Sequence, residues 1–325
     1  MPKNKTNKIS KFFNKKIRTL IFFVTSKCPL NCKHCFYNGE LNKNIKELTL
    51  EEIEKIADNL PDLEYLELSG GEPFARQDIV ELVEIFVKRG IKKAIIPTNG
   101  FLTNQIVSKV QIMKDKGFNF TILISIDGFE DLHNKIRGRN CFNQAIKTFD
   151  ELKKIGVNPG FIVSLSKLNY DSYLDLLKYL KDKQPAGIDS VLVRAKPDIM
   201  LSYQQFKDIK SQIEEIIMRD MPLSDKKRKQ ILNQIYLDVL NGKKLPVKCL
   251  AGKIIAVLEP DGEVRICELR RKLGNVRDYN YDINKIVLLD KVPNDCGMCI
   301  HPCFIGPSMS YSLKWITKNI ASQYV

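Results

Sequence analysis

Thr19-Leu20-Ile21-Phe22-Phe23-Val24-Thr25 leads, through Ser26 and Lys27, into Cys28-Pro29-Leu30-Asn31-Cys32-Lys33-His34-Cys35. The first segment is short, apolar and rich in β-branched and aromatic side chains, which reads as a buried strand. The second carries three cysteines spaced C-x3-C-x2-C. An iron–sulfur cluster normally takes four thiolates. A loop that offers three leaves one iron open, much as catalytic metal sites keep a vacant position. A strand feeding that loop places it at the strand's C-terminal end, where α/β folds carry their chemistry. A zinc loop and a disulfide set are the other readings of three close cysteines.

Outward from this stretch, strands and helices alternate. Thr49 before Leu50-Glu51-Glu52 has the form of a capping box, and Ile53, Ile56 and Ala57 follow at helical spacing. Further strands are expected at 65–69, 94–98, 120–126, 160–164 and 190–194. Helices are expected at 77–89, 103–116, 141–155 and 171–182. Six such units require a parallel sheet, because parallel strands need crossover connections. Periodicity alone does not separate a doubly wound sheet from an open barrel. Two more helices, 203–219 and 225–241, precede a change of character in the last 80 or so residues.

Composition narrows the class. The chain has 325 residues and is 44% hydrophobic, enough for one large domain or two ordinary ones. No run approaches the roughly 18–20 apolar residues of a membrane span. No small-residue cleavage site follows the first apolar run, so a secretory signal is not expected. Nine cysteines in clusters then argue for metal binding in a reducing cytoplasm rather than for disulfides. Cys141 stands apart and reads as a free thiol. Formal charge is +14, with seven Lys or Arg among the first 18 residues. A solvated basic tail is the plain reading, and a patch for an acidic peptide, nucleic acid or membrane surface the other. Residues 1–18 are too short and polar to fold alone.

The strand ends carry unusual residues. After the second strand comes Ser69-Gly70-Gly71-Glu72-Pro73; two glycines expose backbone and allow close approach, and Pro73 fixes the turn. After the third comes Thr98-Asn99-Gly100, a turn signal. After the fourth come Ser125 and Asp127-Gly128; Ser125 and Asp127, two apart, share a face. His133 and Arg137 follow in Asp131-Leu132-His133-Asn134-Lys135-Ile136-Arg137-Gly138. Ser164 and Asn169 lie after the fifth strand.

The second cysteine set is Cys249, Cys267, Cys296, Cys299 and Cys303. The stretch 257–267 reads as a β-hairpin with an Asp261-Gly262 turn. Five cysteines grouped in this way are a metal signal, with a four-ligand zinc ribbon as the structural alternative.

The C-x3-C-x2-C loop resembles the signature of the radical S-adenosylmethionine (radical SAM) superfamily. That signature has an aromatic residue beside its last cysteine; here His34 takes the place and Phe36-Tyr37 follow. Gly70-Gly71-Glu72-Pro73 resembles the family's GGEP motif. The resemblance implies a six-unit partial (β/α)6 TIM-like barrel over 19–195. It implies a [4Fe-4S] cluster on Cys28, Cys32 and Cys35, with S-adenosylmethionine (SAM) on the open iron. Gly70, Gly71, Glu72 and Pro73 are implied at the methionyl amino group and Asn99 nearby. Ser125, Asp127 and Ser164 are implied at the ribose or methionyl part, with Asn169 a ribose candidate or a simple cap. Arg137 is implied at the SAM carboxylate.

The spacing from Cys249 through Gly262 to Cys267 resembles the start of the SPASM domain, an auxiliary-cluster extension of this superfamily. A full SPASM domain has a longer cysteine set and two clusters, so the shortened twitch form with one auxiliary [4Fe-4S] cluster is the implied match. Cys249, Cys267, Cys296 and Cys299 are the first choice of ligands; Cys303 either replaces one or is a spare thiol. The implied organisation is a tail at 1–18, barrel at 19–200, helical connector at 201–245, auxiliary-cluster unit at 246–310 and tail at 311–325. Bound clusters lower the charge to about +11.

The resemblance also implies a function. SAM is cleaved to a 5′-deoxyadenosyl radical that takes hydrogen from the substrate, with a low-potential donor of flavodoxin or ferredoxin type. A peptide or protein side chain, oxidised or crosslinked, is the expected substrate, and a small molecule such as an amino sugar the alternative. A non-enzymatic iron–sulfur or zinc protein is the competing class, and nucleic acid is not an expected partner. No unpaired catalytic base stands out. Trp315, in the tail 311–316, is read as a core anchor.

Overall fold

β1 (Thr19–Thr25) is buried at all seven positions, as its composition demands. The computed structural model describes residues 16–292 and 294–312. The basic residues before Lys16 and the C-terminal stretch with Trp315 lie outside the described residues. β1 pairs in parallel with β2 (Tyr65–Gly70), and the sheet continues through β3 (Lys93–Thr98), β4 (Phe120–Ser125), β5 (Gly160–Leu165) and β6 (Ile188–Leu192). All five pairings are parallel. The connections are α1 (Leu50–Asp58), α2 (Ile79–Lys88), α3 (Thr103–Asp115), α4 (Glu130–Arg137), α5 (Phe142–Lys154) and α6 (Tyr173–Asp182). The expected capping box is present: Glu52 N–H donates to Thr49 Oγ1 and Thr49 N–H to the Glu52 carboxylate. Two expectations shift. The sixth strand begins two residues earlier than its apolar run, and α4 forms where the sequence reading assigned no helix.

The two faces of the sheet differ in a way that locates the site. Leu66, Leu68, Ala94, Ile96, Ile124, Phe161 and Val163 are fully buried under the helices. The alternate residues, in register from Glu67 to Ile95 to Thr121 and from Ser125 to Ile162 to Asp189, face the other way and are half-buried. That inner face is the lumen of an open barrel, and it is polar where Glu67, Ser69, Ser125 and Ser164 line it.

The C-terminal unit does more than follow the barrel. β7 (Ile255–Leu258) pairs in parallel with β1, with Ile21 opposite Val257. β8 (Glu263–Arg265) and β9 (Gly274–Asn275) extend the sheet antiparallel. The expected hairpin therefore covers the free edge of β1, which otherwise leaves unpaired backbone groups. Leu48 N–H donates to the Pro260 carbonyl at 2.8 Å, and the Arg277 Nε–H donates to Glu52 at 2.6 Å. α7 (Tyr203–Met218) and α8 (Leu223–Leu240) lie before β7, and α9 (Pro302–Ser310) has the last cysteine, Cys303, in its first turn.

Candidate functional site

The first cysteine loop hangs from the end of β1 and is pinned by backbone hydrogen bonds on two sides. Asn31 and Lys33 N–H donate to the Arg137 and Ile136 carbonyls, at 3.2 and 2.9 Å. These are end carbonyls of α4, which lack partners within the helix. Gly138 ends α4 at φ +73°, and a Cβ there would lie 2.5 Å from the Asn31 carbonyl. On the other side, Gly71 and Glu72 N–H donate to the Thr25 and Lys27 carbonyls, at 2.9 and 2.8 Å. A Cβ on Gly71 would sit 2.2 Å from the Lys27 oxygen. Gly138 and Gly71 thus admit the neighbouring chain at close approach.

Glu72 is buried at the end of β2. Its carboxylate accepts from Thr98 Oγ1 at 2.7 Å, Asn99 N–H at 2.8 Å and Phe74 N–H at 3.2 Å. Burial raises its pKa; those hydrogen bonds pull the other way. Burial also pushes the Cys28 thiol up to about 12, and raises Cys32 and Cys35. Such thiols need a bound cation to hold them as thiolates. The surroundings suit an anionic cluster: Arg137 Nη1 lies 3.8 Å from Cys32 Sγ and Asn99 Nδ2 3.9 Å from Cys28 Sγ.

Asp127 and Arg137, both assigned to SAM by resemblance, meet each other. Arg137 Nη2 is 2.6 Å from Asp127 Oδ2, and both are buried. Asp127 Oδ1 accepts from Ser164 N–H at 2.9 Å, and Asp127 N–H donates to His133 Nδ1 at 3.1 Å. Asn169 Nδ2 donates to the Asp127 and Ser164 carbonyls, so it ties the ends of β4 and β5 together. Burial pushes Asp127 up, but Arg137, the two histidines and the Ser164 N–H outweigh it and leave its pKa below the usual carboxylate value. Burial and Arg137 hold His133 down at about 3, hence neutral at pH 7. This pair forms a rigid wall beside Cys32. Ser125 and Ser164 stay half-buried on the lumen face.

The second set gathers from three segments, around Cys249, Cys267 and Cys296–Cys299. After burial and local hydrogen bonds, the charges acting on Cys249, Cys267 and Cys299 include one another or Cys296. Arg270 Nη2 donates to Cys296 Sγ at 3.0 Å, and His301 N–H to Cys299 Sγ at 3.3 Å. Among the described residues, no three His, Cys, Asp or Glu close on a point as a single ion requires; a cubane spreads its thiolates wider. Four thiols supply a cubane's usual complement. Cys303 differs: its Sγ–H donates to Glu67 Oε1 on β2 at 3.3 Å.

The two sets are bridged. Tyr37, just past Cys35, donates to Glu259 at 2.5 Å. Arg194 lies 4.9 Å above the Phe36 ring, pairs with Glu268 at 2.5 Å and lies 3.0 Å from His301 Nε2. Ala195 turns the chain at once after it, at φ +60°, a conformation that costs about 1 kcal/mol for a residue with a Cβ. Sequence reasoning missed Glu67, Arg194, Glu268 and His301. One signal was available: a glutamate in the middle of a buried parallel strand.

A parallel open barrel, three thiols at the end of its first strand and four more at its edge define an iron–sulfur enzyme of the radical type. Residues 22–180 match the family model described as the Radical SAM superfamily, so the chain carries a radical SAM domain. It binds a [4Fe-4S] cluster and SAM.

Among curated relatives, it is 25% identical over 266 residues to the "Probable GTP 3',8-cyclase" of Methanocaldococcus jannaschii, covering 79% of this chain and 87% of the relative. It is 25% identical over 278 residues to the "Antilisterial bacteriocin subtilosin biosynthesis protein AlbA" of Bacillus subtilis, covering 80% of this chain but 58% of that one. Its fold is similar to that of Streptococcus suis SuiB (TM-score 0.65, 15% identity, 88% of this chain and 68% of that one). It is also similar to that of anSMEcpe with bound AdoMet (TM-score 0.60, 18% identity, 95% and 100%). Among the described residues, no helix is long and apolar enough to cross a membrane.

Proposed function

We propose that this chain is a radical SAM oxidoreductase of the cytoplasm that takes a hydrogen atom from a peptide or protein side chain, for a net oxidation or a crosslink. The grouping of Cys249, Cys267, Cys296 and Cys299 carries the reading. Four thiols close a cubane and leave no open iron for substrate, so the auxiliary cluster is suited to accept an electron. When bound, the first cluster and SAM supply a 5′-deoxyadenosyl radical.

The chain's own residues hold and shield it. Cys28, Cys32 and Cys35 hold the cluster. The Gly70-Gly71-Glu72-Pro73 loop, Asn99, Ser125 and Ser164 line the SAM cradle, and the Asp127–Arg137 pair forms its wall. The barrel wall keeps water from a reactive intermediate. A flavodoxin or ferredoxin type protein delivers the electrons.

The solved structure of SuiB bound to precursor peptide SuiA (TM-score 0.64) and the likeness to AlbA support a peptide substrate. The cyclase likeness, which runs over most of that relative, favours a second reading, a small-molecule substrate, with GTP as its first probe. The test is 5′-deoxyadenosine release from anaerobically reconstituted protein with SAM and a strong reductant, beside Cys32→Ala. Peptides encoded next to the gene and GTP are then added in turn. Release that vanishes in Cys32→Ala, with a peptide that loses two hydrogens, is the expected result. No release from protein with loaded clusters and bound SAM would sink the reading.

A further inference from the structure

Cys303 opens α9 and reaches across to the barrel, where its Sγ–H donates to Glu67 Oε1 of β2 at 3.3 Å. Its strongest charged neighbours are Glu67, Glu268 and Arg194. Its hydrogen-bond acceptor, Glu67, faces the lumen from the middle of β2 in register with Ile21 and Ile95. Burial, with Glu268 adding, lifts Glu67 to about 7. A second observation marks the place as built for something. Tyr236 of α8 is 1% exposed, and its hydroxyl has no hydrogen-bond partner among the described residues. After burial, Cys303 is the first charge that acts on it. Arg194 Nε and His301 Nδ1, also buried, lack partners too. Two of these unsatisfied atoms, the Tyr236 hydroxyl and Arg194 Nε, belong to residues on which the Cys303 charge acts, and they call for a polar group that enters the lumen there. Arg194 joins this spot to the first cysteine loop through Phe36.

We propose that Cys303 donates a hydrogen atom to carbon radicals in the lumen, with Glu67 as the proton relay that restores its thiol. The inference rests on the radical chemistry above and goes beyond it, because it gives the substrate radical a second exit. In the first exit the radical loses an electron to the auxiliary cluster and is oxidised. In the second, the Sγ–H bond breaks, a C–H bond forms and Cys303 is left as a thiyl. One electron from the reduced auxiliary cluster, refilled by the low-potential donor, converts the thiyl to a thiolate. A proton passed through Glu67 completes the thiol. The substrate then leaves with its hydrogen replaced from solvent, and with its configuration free to invert.

The test needs no identified substrate, since the 5′-deoxyadenosyl radical is itself a carbon radical in the lumen. Reconstituted full-length protein cleaves SAM in D2O without substrate, and the 5′-deoxyadenosine is weighed. The wild type is expected to incorporate one solvent deuterium. Cys303→Ser and Cys303→Ala are expected to keep their iron and their yield while incorporation falls at least tenfold. Unlabelled product from the wild type, or labelled product from both variants, overturns the proposal alone. No 5′-deoxyadenosine from the wild type, even with the neighbouring-gene peptides and GTP added in turn, brings down the radical reading and the proposal with it. An independent readout is the infrared S–H band of the cluster-loaded protein without SAM. A band lost in Cys303→Ser and moved to higher frequency in Glu67→Gln is expected. Absence of that band in the wild type makes Cys303 a cluster ligand and overturns the proposal.

Discussion

The two cysteine sets are built in opposite ways. The first spans eight residues, 28–35, and its shape is fixed by backbone: α4 carbonyls accept from its amides on one side, and Gly71 and Glu72 N–H donate to the Thr25 and Lys27 carbonyls that lead into it on the other. The second spans 249–299 and is gathered by side chains and by a hairpin added to the barrel sheet. Three thiols leave a position open and four close the set. On the proposed reading the open site is the one suited to SAM, and the closed one to passing electrons. A set read from one local run also demands a close-packed loop, whereas a set gathered from afar demands a shared core.

The sharpest way to break this contrast is to remove one ligand from each set. Cys32→Ala is expected to take 5′-deoxyadenosine release to background and iron down by about four per chain. Cys267→Ala is expected to lose the same iron yet still release 5′-deoxyadenosine, while substrate oxidation stops. Equal loss of release in both would erase the division of labour.

The wall beside Cys32 comes next. Arg137→Met strands a buried Asp127 carboxylate and is expected to cost about 3–5 kcal/mol in denaturant unfolding. Adding Asp127→Asn is expected to recover part of that loss, because the two residues are in contact and their effects do not add. Strict additivity would show that the pair is not coupled.

The legibility of the sequence follows the same division. The spacing of Cys28, Cys32 and Cys35, the Gly70-Gly71-Glu72-Pro73 loop and the capping box at Thr49 lie within a few residues each, so local pattern displays them. The barrel strands were legible because their outer faces are uniformly apolar. The pairing of Asp127 with Arg137 was not, because either side chain could equally face a ligand and only α4 decides. The place of β7 beside β1 needs contacts more than 200 residues apart, such as Tyr37 with Glu259. Glu67 was visible as a charge inside a strand, but its partner Cys303 lies 236 residues away.

Smaller effects sharpen the packing side of the comparison. Gly71→Ala places a methyl group against the Lys27 carbonyl and is expected to cost about 1–3 kcal/mol, read as a lower melting temperature. Gly39, where a Cβ meets nothing within 4 Å, is the control, and Gly39→Ala is expected to leave melting unchanged or slightly higher.

The smallest effect tests the join between barrel and C-terminal unit. The Arg277 hydrogen bonds hold Glu52 down to about 2 from an ordinary 4.5. A carboxylate depressed in the folded state stabilises above its unfolded pKa and loses that contribution as pH falls through the folded one. The stability gap between wild type and Glu52→Gln is therefore expected to be full above about pH 4.5 and to close toward pH 2. Its size is about 1 kcal/mol or less, since the pair is near the surface. A gap that is flat across this range would contradict the pairing.

The central claim is that one chain holds two different iron–sulfur sites. The measurement that tests it most directly is the metal content of a variant with Cys28, Cys32 and Cys35 all changed to Ala, reconstituted anaerobically beside the wild type. About four irons per chain are expected to remain, with the absorption of a [4Fe-4S] cluster. Zinc in their place, or no metal, would contradict the account.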